Sequence, residues 1–203
     1  MPEDLRSAVA TQRSPFEGHD TAERPNAGGE IGVRLFAETL ASVTQVSTWI
    51  SGVAALEQAL VGVLGQRAPA TTGHTLRTPQ GLVFRTGPEE ILVVAEGDAD
   101  NTAWLRRHVA ADVGSVTDLS HARCRIRIRG ENCCNVLGKL FPVDLRQAAF
   151  PIEEVRLTGH HHVPCLLHRL ASDSFDIYVF STYAHDQLGT VIDAALEYGV
   201  ALS

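Results

Sequence analysis

Hydrophobic and polar positions follow a regular order from residue 42 onward. The segment Ser42–Ile50 is rich in β-branched residues and predicts a strand. Leucine and valine then recur every three or four residues up to Gly65, which predicts an amphipathic helix with a glycine at its end. Three short strands separated by Pro/Gly turns and a second helix complete this half. The predicted ranges of those four elements are 74–77, 82–86, 91–95 and 100–112.

The second half of the chain repeats this order of elements. Strict alternation over Arg123–Arg129 predicts a strand, and a helical period follows it. Three strands and a last helix come next, so the order β-α-β-β-β-α occurs twice, offset by about 80 residues. We therefore predict an α+β fold of two duplicated units, with antiparallel-rich sheets, helices packed on them and a pseudo-twofold core. The predicted halves are residues 42–121 and 122–203, and the later predicted elements are 131–140, 153–158, 163–169, 175–180 and 182–198.

Residues 1–41 differ from the rest. They contain three prolines and a Gly-Gly pair, and their four basic and seven acidic side chains give a net charge of −3. Such a composition buries little apolar surface. We expect an N-terminal arm that is either flexible or ordered against a partner chain.

Composition and charge exclude several classes of protein. The chain has 203 residues, of which 17 are basic and 24 acidic, giving a net charge of −7. An acidic balance disfavours nucleic acid or an anionic membrane as partner. The sequence contains neither a signal peptide nor an apolar run long enough for a membrane span. Four cysteines do not make a disulfide framework in a chain of this length, so we expect a reduced, cytoplasmic protein.

The most specific surface feature is a row of arginines on the strictly alternating strand. Arg123, Arg125, Arg127 and Arg129 share one face, at a spacing of roughly 6.6 Å. Two interpretations stay open. The row either faces solvent and pairs with acids near in sequence, such as Asp118 and Glu131, or it docks an acidic partner surface.

The histidine run at residues 160–162 is a candidate metal site. On one continuous strand, His160, His162 and His168 would share a face, and imidazoles suit zinc or copper. The alternative is a hairpin edge with exposed histidines, because no acid or cysteine completes that face.

Other chemistry is not indicated. The sequence lacks G-x-G-x-x-G, P-loop and G-x-S-x-G motifs. Asp118, Ser120 and His121 lie too close in sequence to face each other as a catalytic triad, so we interpret them as a turn.

Several sequence blocks resemble the gamma subunit of heterotetrameric sarcosine oxidase. The second half carries most of the resemblance, and the start Ser14-Pro15-Phe16 is similar to that family's Ser-Pro-apolar start. We therefore add Pro15 and Phe16 to the partner-interface candidates. The blocks are DLSHARCRIRIRG (118–130), VLGKLFPVDLRQAAFP (136–151), VPCLLHR (163–169) and FDIYV (175–179).

The resemblance implies a place in a larger complex. Such a complex has alpha, beta and delta chains beside gamma, and it carries FAD, FMN, NAD, tetrahydrofolate and zinc in those other chains. It oxidatively demethylates sarcosine or a related N-methyl amino acid. The gamma chain would be a non-catalytic scaffold without a cofactor, so whether this chain counts as an enzyme depends on the complex.

The resemblance extends to the folate-binding T-protein of glycine cleavage, with one departure. T-proteins carry a Gly-Gly-x-x-Asp-Asp stretch, and aligning the strands at His168-Arg169 puts Val163-Pro164 at its acids. Neither residue can exchange a proton with a folate nitrogen. Three alternatives stay open beside the scaffold: a free-standing folate-binding one-carbon protein, a gamma-like subunit of an N-methylglutamate dehydrogenase-type complex, and a small metalloprotein that uses the histidines.

Overall fold

The computed structural model describes residues 14–19, 21–49, 52–96 and 100–203. The α+β class and the duplicated order are confirmed. Two short 3-10 helices flank the last α-helix. The strands and helices are β1 (Glu23–Arg24), β2 (Val33–Thr39), β3 (Val43–Thr48), α1 (Val53–Leu64), β4 (Thr75–Thr78), β5 (Gly81–Gly87), β6 (Glu90–Val94), α2 (Asn101–His108), β7 (Gly114–Asp118), β8 (Arg123–Arg129), α3 (Cys133–Leu140), β9 (Val155–His160), β10 (Val163–Ala171), β11 (Ser174–Phe180), α4 (Ala184–Ala195) and β12 (Val200–Leu202).

The strands form two sheets, one for each repeat. The first has the order β4-β5-β6-β3-β7, and the second has the order β1-β12-β2-β8-β11-β10-β9. All neighbours are antiparallel except β12 and β2, which are parallel. Within each sheet, corresponding hairpins carry a register shift at the same place, after Arg85 in β5 and after Arg169 in β10. The repeats therefore match in detail as well as in order.

Helices cover the outer face of each sheet. Leu56 and Leu60 of α1 and Leu105 of α2 pack on the first sheet, while α3 and α4 pack on the second. Gly65 ends α1 in the left-handed conformation that its position at the end of the apolar period predicts (φ 72°). Among the described residues, no helix has both the length and the apolar character needed to cross a membrane.

The inner faces of the two sheets pack against each other. Leu82, Phe84 and Val94 of the first sheet share one apolar cluster with Leu166 and Tyr178 of the second. The rings of Phe84 and His168 lie 5.0 Å apart. These two residues occupy equivalent places in their repeats, one position before Arg85 and Arg169. Contact between equivalent residues places them at the predicted pseudo-twofold axis.

Two equivalent arginines fix the loops beside these hairpins. Arg85 is almost fully buried, and its guanidinium donates to the carbonyls of Pro69 (2.7 Å) and Pro88 (3.2 Å). Arg169 is equally buried and donates to the carbonyls of Leu145 (2.8 Å) and Phe150 (2.9 Å). A planar guanidinium offers five donors and so satisfies several loop carbonyls at once.

The arm predicted for residues 1–41 needs correction at its C-terminal end. Strand β2 lies inside the second sheet, between β12 and β8, with Val33 and Leu35 fully buried. Val33, Leu35 and Ala37 alternate along β2 with Arg34, Phe36 and Glu38, and so share the apolar face that makes this possible. The domain therefore includes residues assigned to the arm, whereas residues 1–13 of the arm lie outside the described residues.

We predict that Phe84→Ala destabilises the chain by about 3–5 kcal/mol, because it opens a cavity where the two sheets meet. Urea denaturation of the purified chain, followed by tryptophan fluorescence, measures the free energy of unfolding. Val61→Ala, at an exposed position on α1, is the control and should change it by less than about 0.5 kcal/mol. An unchanged free energy in Phe84→Ala would contradict the assignment of Phe84 to the core.

Candidate functional site

The arginine row lies on β8 as predicted, but it does not face open solvent. Cys124, Ile126 and Ile128 are fully buried under α3 and α4. The alternation of β8 therefore turns its arginines to the inner face, the side on which the other sheet packs. The four arginines differ in their surroundings. Arg125 and Arg127, at the centre of the row, are half-buried within an ion-pair network, whereas Arg123 and Arg129, at its ends, lie outside that network.

Asp176 on β11 is the centre of that network. Its carboxylate is fully buried and accepts two hydrogen bonds from Arg127, from Nε (2.6 Å) and Nη2 (2.8 Å). Arg125 approaches the same carboxylate at 3.5 Å and also donates from Nε to Glu38 on β2 (2.7 Å). The two cationic and two anionic side chains cancel in formal charge. The centre of the row therefore offers little net charge to an acidic partner.

The pKa shifts agree with this geometry. Burial opposes the charge of Arg125, but the carboxylates of Asp176 and Glu38 outweigh it and raise its pKa. Hydrogen bonds to Asp176 raise the pKa of Arg127. Burial, and then the charge of Asp176, raises the pKa of the neighbouring Tyr178. All three groups therefore keep their protons across the physiological pH range, and the network is a constant feature of the fold.

The prediction that the row pairs with acids near in sequence, Asp118 and Glu131, was wrong: the ion pairs that the structure describes for Arg125 and Arg127 are with Glu38 and Asp176. Asp118 accepts hydrogen bonds from the backbone N–H (2.9 Å) and the hydroxyl (2.6 Å) of Ser120, which lower its pKa. Ser120 Oγ in turn accepts from the N–H of Val43 (3.1 Å). The predicted turn is thereby confirmed. The arginines instead pair with acids that are distant in sequence and that β-pairing brings opposite them, because Arg127 is in register with Asp176 and Arg125 with Glu38.

The two ends of the row differ from its centre. Arg129 is exposed and borders a cleft of ≈ 410 Å³ between the two repeats, where Arg77 pairs with both Glu96 and Glu153. Arg123 is half-buried, and its Cζ lies 3.7 Å from the centre of the Phe180 ring. Within the part of the chain that the structure describes, its Nε and Nη1 are buried and have no hydrogen-bond partner.

The histidine candidates do not come together. His161 and His162 form the two-residue turn between β9 and β10, both at positive φ (47° and 68°), so the continuous strand assumed from sequence is interrupted. His160 packs on the helix side of the sheet, beside Phe141 and 2.7 Å from Gln187 Oε1. His168 faces the other sheet and contacts Phe84. The turn therefore separates residues that strict alternation would place on one face.

The candidates Pro15 and Phe16 lie against this chain itself. Phe16 is buried in the cluster beneath α3 and α4, and Pro15 is half-buried. The rings of His19 and His185 pack at a tilted angle with their centres 3.9 Å apart, and His19 Nε2 lies 3.2 Å from the His185 carbonyl oxygen. The side chain of Phe16 thus belongs to the chain's own core, and a partner contact at Pro15 and Phe16 stays a prediction.

Two positions at the start of β10 carry no ionisable side chain. Val163 and Pro164 stand where the resemblance places the T-protein carboxylates, and neither can bind or release a proton.

We predict that Asp176→Leu costs about 3–5 kcal/mol of unfolding free energy, because it leaves the buried guanidinium of Arg127 uncompensated. The equivalent pair in the first repeat is Leu92 with Gln45. The double variant Asp176→Leu/Arg127→Gln copies that pair and should recover at least half of the loss. Urea denaturation measures both variants.

The exposed Asp173 provides the control for this series. Asp173→Leu removes a carboxylate from the turn before β11 and should change the unfolding free energy by less than about 0.5 kcal/mol. Equal stability of wild type and Asp176→Leu would contradict the assignment of Asp176 as the centre of the network.

Comparison with known proteins identifies relatives in sequence, although no family model matches the chain. The gamma subunit of sarcosine oxidase from Corynebacterium sp. (strain P-1) is 29% identical over 198 residues, which cover 96% of this chain and 95% of the relative. The gamma subunit from strain U-96 is 28% identical over 144 residues, 70% of each chain.

Solved structures agree with the sequence relatives. A chain of heterotetrameric sarcosine oxidase from Corynebacterium sp. U-96, in complex with pyrrole 2-carboxylate, superposes with a TM-score of 0.77 at 25% identity, covering 92% of this chain and 95% of that one. Aminomethyltransferase T of the glycine cleavage system from Bartonella henselae shares the fold alone, with a TM-score of 0.61 at 14% identity over 85% of this chain and 48% of that one. The resemblance seen in the sequence blocks is confirmed: the chain is similar to sarcosine oxidase gamma subunits along nearly its whole length, in sequence and in structure.

Proposed function

We propose that this chain is the gamma-type subunit of a multi-subunit, flavin-dependent complex of the sarcosine oxidase kind. The observation that carries the proposal is the reciprocal coverage of the relatives. This chain and a gamma subunit match over 96% and 95% of their respective lengths in sequence, and over more than nine-tenths of each in structure. A match that leaves no large unmatched segment on either side argues for an equivalent place in an equivalent assembly.

A scaffolding role suits the chemistry of the described residues. Several buried charged groups serve the fold itself: Asp176 binds Arg127, and Arg85 and Arg169 donate to loop carbonyls. Burial raises the pKa of the Cys124 and Cys133 thiols to about 12, which removes them as nucleophiles at neutral pH. The proposal therefore assigns catalysis to other subunits.

The partners in this proposal are alpha, beta and delta chains. FAD, FMN, NAD, tetrahydrofolate and zinc belong to those chains, and oxidative demethylation of sarcosine or a related N-methyl amino acid takes place there. The four cysteines are free thiols, and free thiols suit a reducing compartment such as the cytoplasm.

Purification from the native source through a tag on this chain tests the proposal. We expect a yellow complex several times larger than the chain, with FAD and FMN in the extract of the denatured complex. The same chain produced alone should be colourless. Oxidation of sarcosine and of N-methylglutamate by the complex then identifies the substrate. A colourless, monomeric chain from the native source would contradict the subunit assignment.

Calorimetry with tetrahydrofolate tests the competing folate-binding function. We expect no heat of binding from the chain produced alone at micromolar concentrations, because Val163 and Pro164 replace the carboxylates. Micromolar affinity would instead favour a free-standing folate-binding protein. T-protein in a parallel titration is the positive control.

A further inference from the structure

The guanidinium of Arg123 differs from its neighbours in having no carboxylate. Arg125 and Arg127 share Asp176 and Glu38, whereas the described residues place no acid within ion-pair distance of Arg123. Its Nε and Nη1 are buried and make no hydrogen bond there, although Phe180 supports the plane of the group from one side. Burial without a partner lowers the pKa of Arg123. A half-buried guanidinium with two buried, unpartnered nitrogens and no carboxylate beside it is unfavourable in the isolated chain.

A shallow apolar pocket lies directly beside this guanidinium. It has a volume of ≈ 290 Å³. Its apolar wall includes Leu157, whose side chain is 55% exposed although it lies opposite the buried Leu166. The pocket is lined by Arg123, Leu157, Thr158, Pro164, Cys165 and Leu166.

The pocket is open on its outer side because β9 is the last strand of the second sheet. The N–H of Val155 points away from β10 and donates to the carbonyl of Gly73 (2.8 Å). Beyond that bond, no described strand pairs with the outer edge of β9. A chain from outside can therefore approach Leu157 and the pocket without displacing any part of the described fold.

Building on the proposed function, we propose that this pocket receives an acidic side chain of another subunit, which pairs with Arg123 while an adjacent apolar residue of that subunit covers Leu157. The geometry supplies a complementary charge for a carboxylate and an apolar wall next to it. A free small anion would pair with the guanidinium but leave Leu157 exposed to water. A protein segment satisfies both, since charge pairing inside an apolar surround is typical of interface centres.

Variants of Arg123 test the proposal in the co-expressed complex. We expect Arg123→Glu to weaken subunit association at least tenfold, measured by native mass spectrometry over a dilution series. Arg123→Met keeps the packing on Phe180 without the charge and should also weaken association, by about fivefold or more. Leu157→Ser removes the apolar contact and should act in the same direction. The matched control is Arg129→Glu, a charge reversal at the exposed opposite end of the same strand, which should leave association unchanged.

Thermal melting of the isolated variants separates docking from a purely structural role. A docking role predicts that Arg123→Met melts at the wild-type temperature or above it, because the buried cation has no partner in the free chain. A structural role predicts a lower melting temperature, and that result would overturn the proposal. Unchanged association of both Arg123 variants in a complex that forms normally would also overturn it, as would an equal loss with Arg129→Glu.

Acetate serves as a probe for a small-anion site. Saturable binding of acetate to the isolated wild-type chain, combined with normal association of Arg123→Met, would assign the pocket to a free anion and contradict docking. Failure of the wild-type chain to enter any complex would instead count against the proposed function itself, so the two failures are distinguishable.

Discussion

The fold depends on the packing of two sheets face to face across a pseudo-twofold axis. Phe84 and His168 meet at that axis, and the surrounding aliphatic side chains join the two repeats in one cluster. Helices cover both outer faces, so each sheet is buried on its two sides. The inner face of a single β-α-β-β-β-α unit is apolar and would be exposed to water without a second unit to cover it. This explains why the duplication yields one domain rather than two.

The two repeats have different side chains at one pair of equivalent positions between their sheets. The first places Leu92 opposite Gln45, whereas the second places Asp176 opposite Arg127 at the equivalent position. Arg127 binds the buried carboxylate of Asp176, and Arg125 with Glu38 completes a neutral set of four charges. Because β2 contributes Glu38, the network also attaches the N-terminal strand to the body of the domain. This asymmetry confines free positive charge to the ends of the arginine row.

Sequence patterns predicted the order of the elements well and the surroundings of single side chains less well. Strict alternation defined β8 from Arg123 to Arg129, as the structure has it. The same alternation did not reveal that the arginine face lies between sheets, because a period of two identifies two faces but not what covers each of them.

Asp176 is the residue from which the buried ion-pair network could have been predicted. A lone acid among the apolar residues of FDIYV indicates a buried charge that needs a partner. Four strands were missed. Strands β1 and β12 have two and three residues, too few for a clear period, and β7 was also missed. Strand β2 does alternate, but it lies in the segment whose prolines, glycines and charges predicted an arm. The turn at His161-His162 carries neither glycine nor asparagine, the residues that usually indicate positive φ.

We propose that this chain occupies the gamma position of a sarcosine oxidase-like complex and meets its partners through the Arg123 end of the row. Electron cryo-microscopy of the complex purified from its native source tests both parts of this proposal in one structure. We expect one copy of this chain beside flavin-containing subunits, with a partner carboxylate on the Arg123 guanidinium and Leu157 covered. A complex in which Arg123 and Leu157 face solvent, or an assembly of this chain with itself alone, would contradict it.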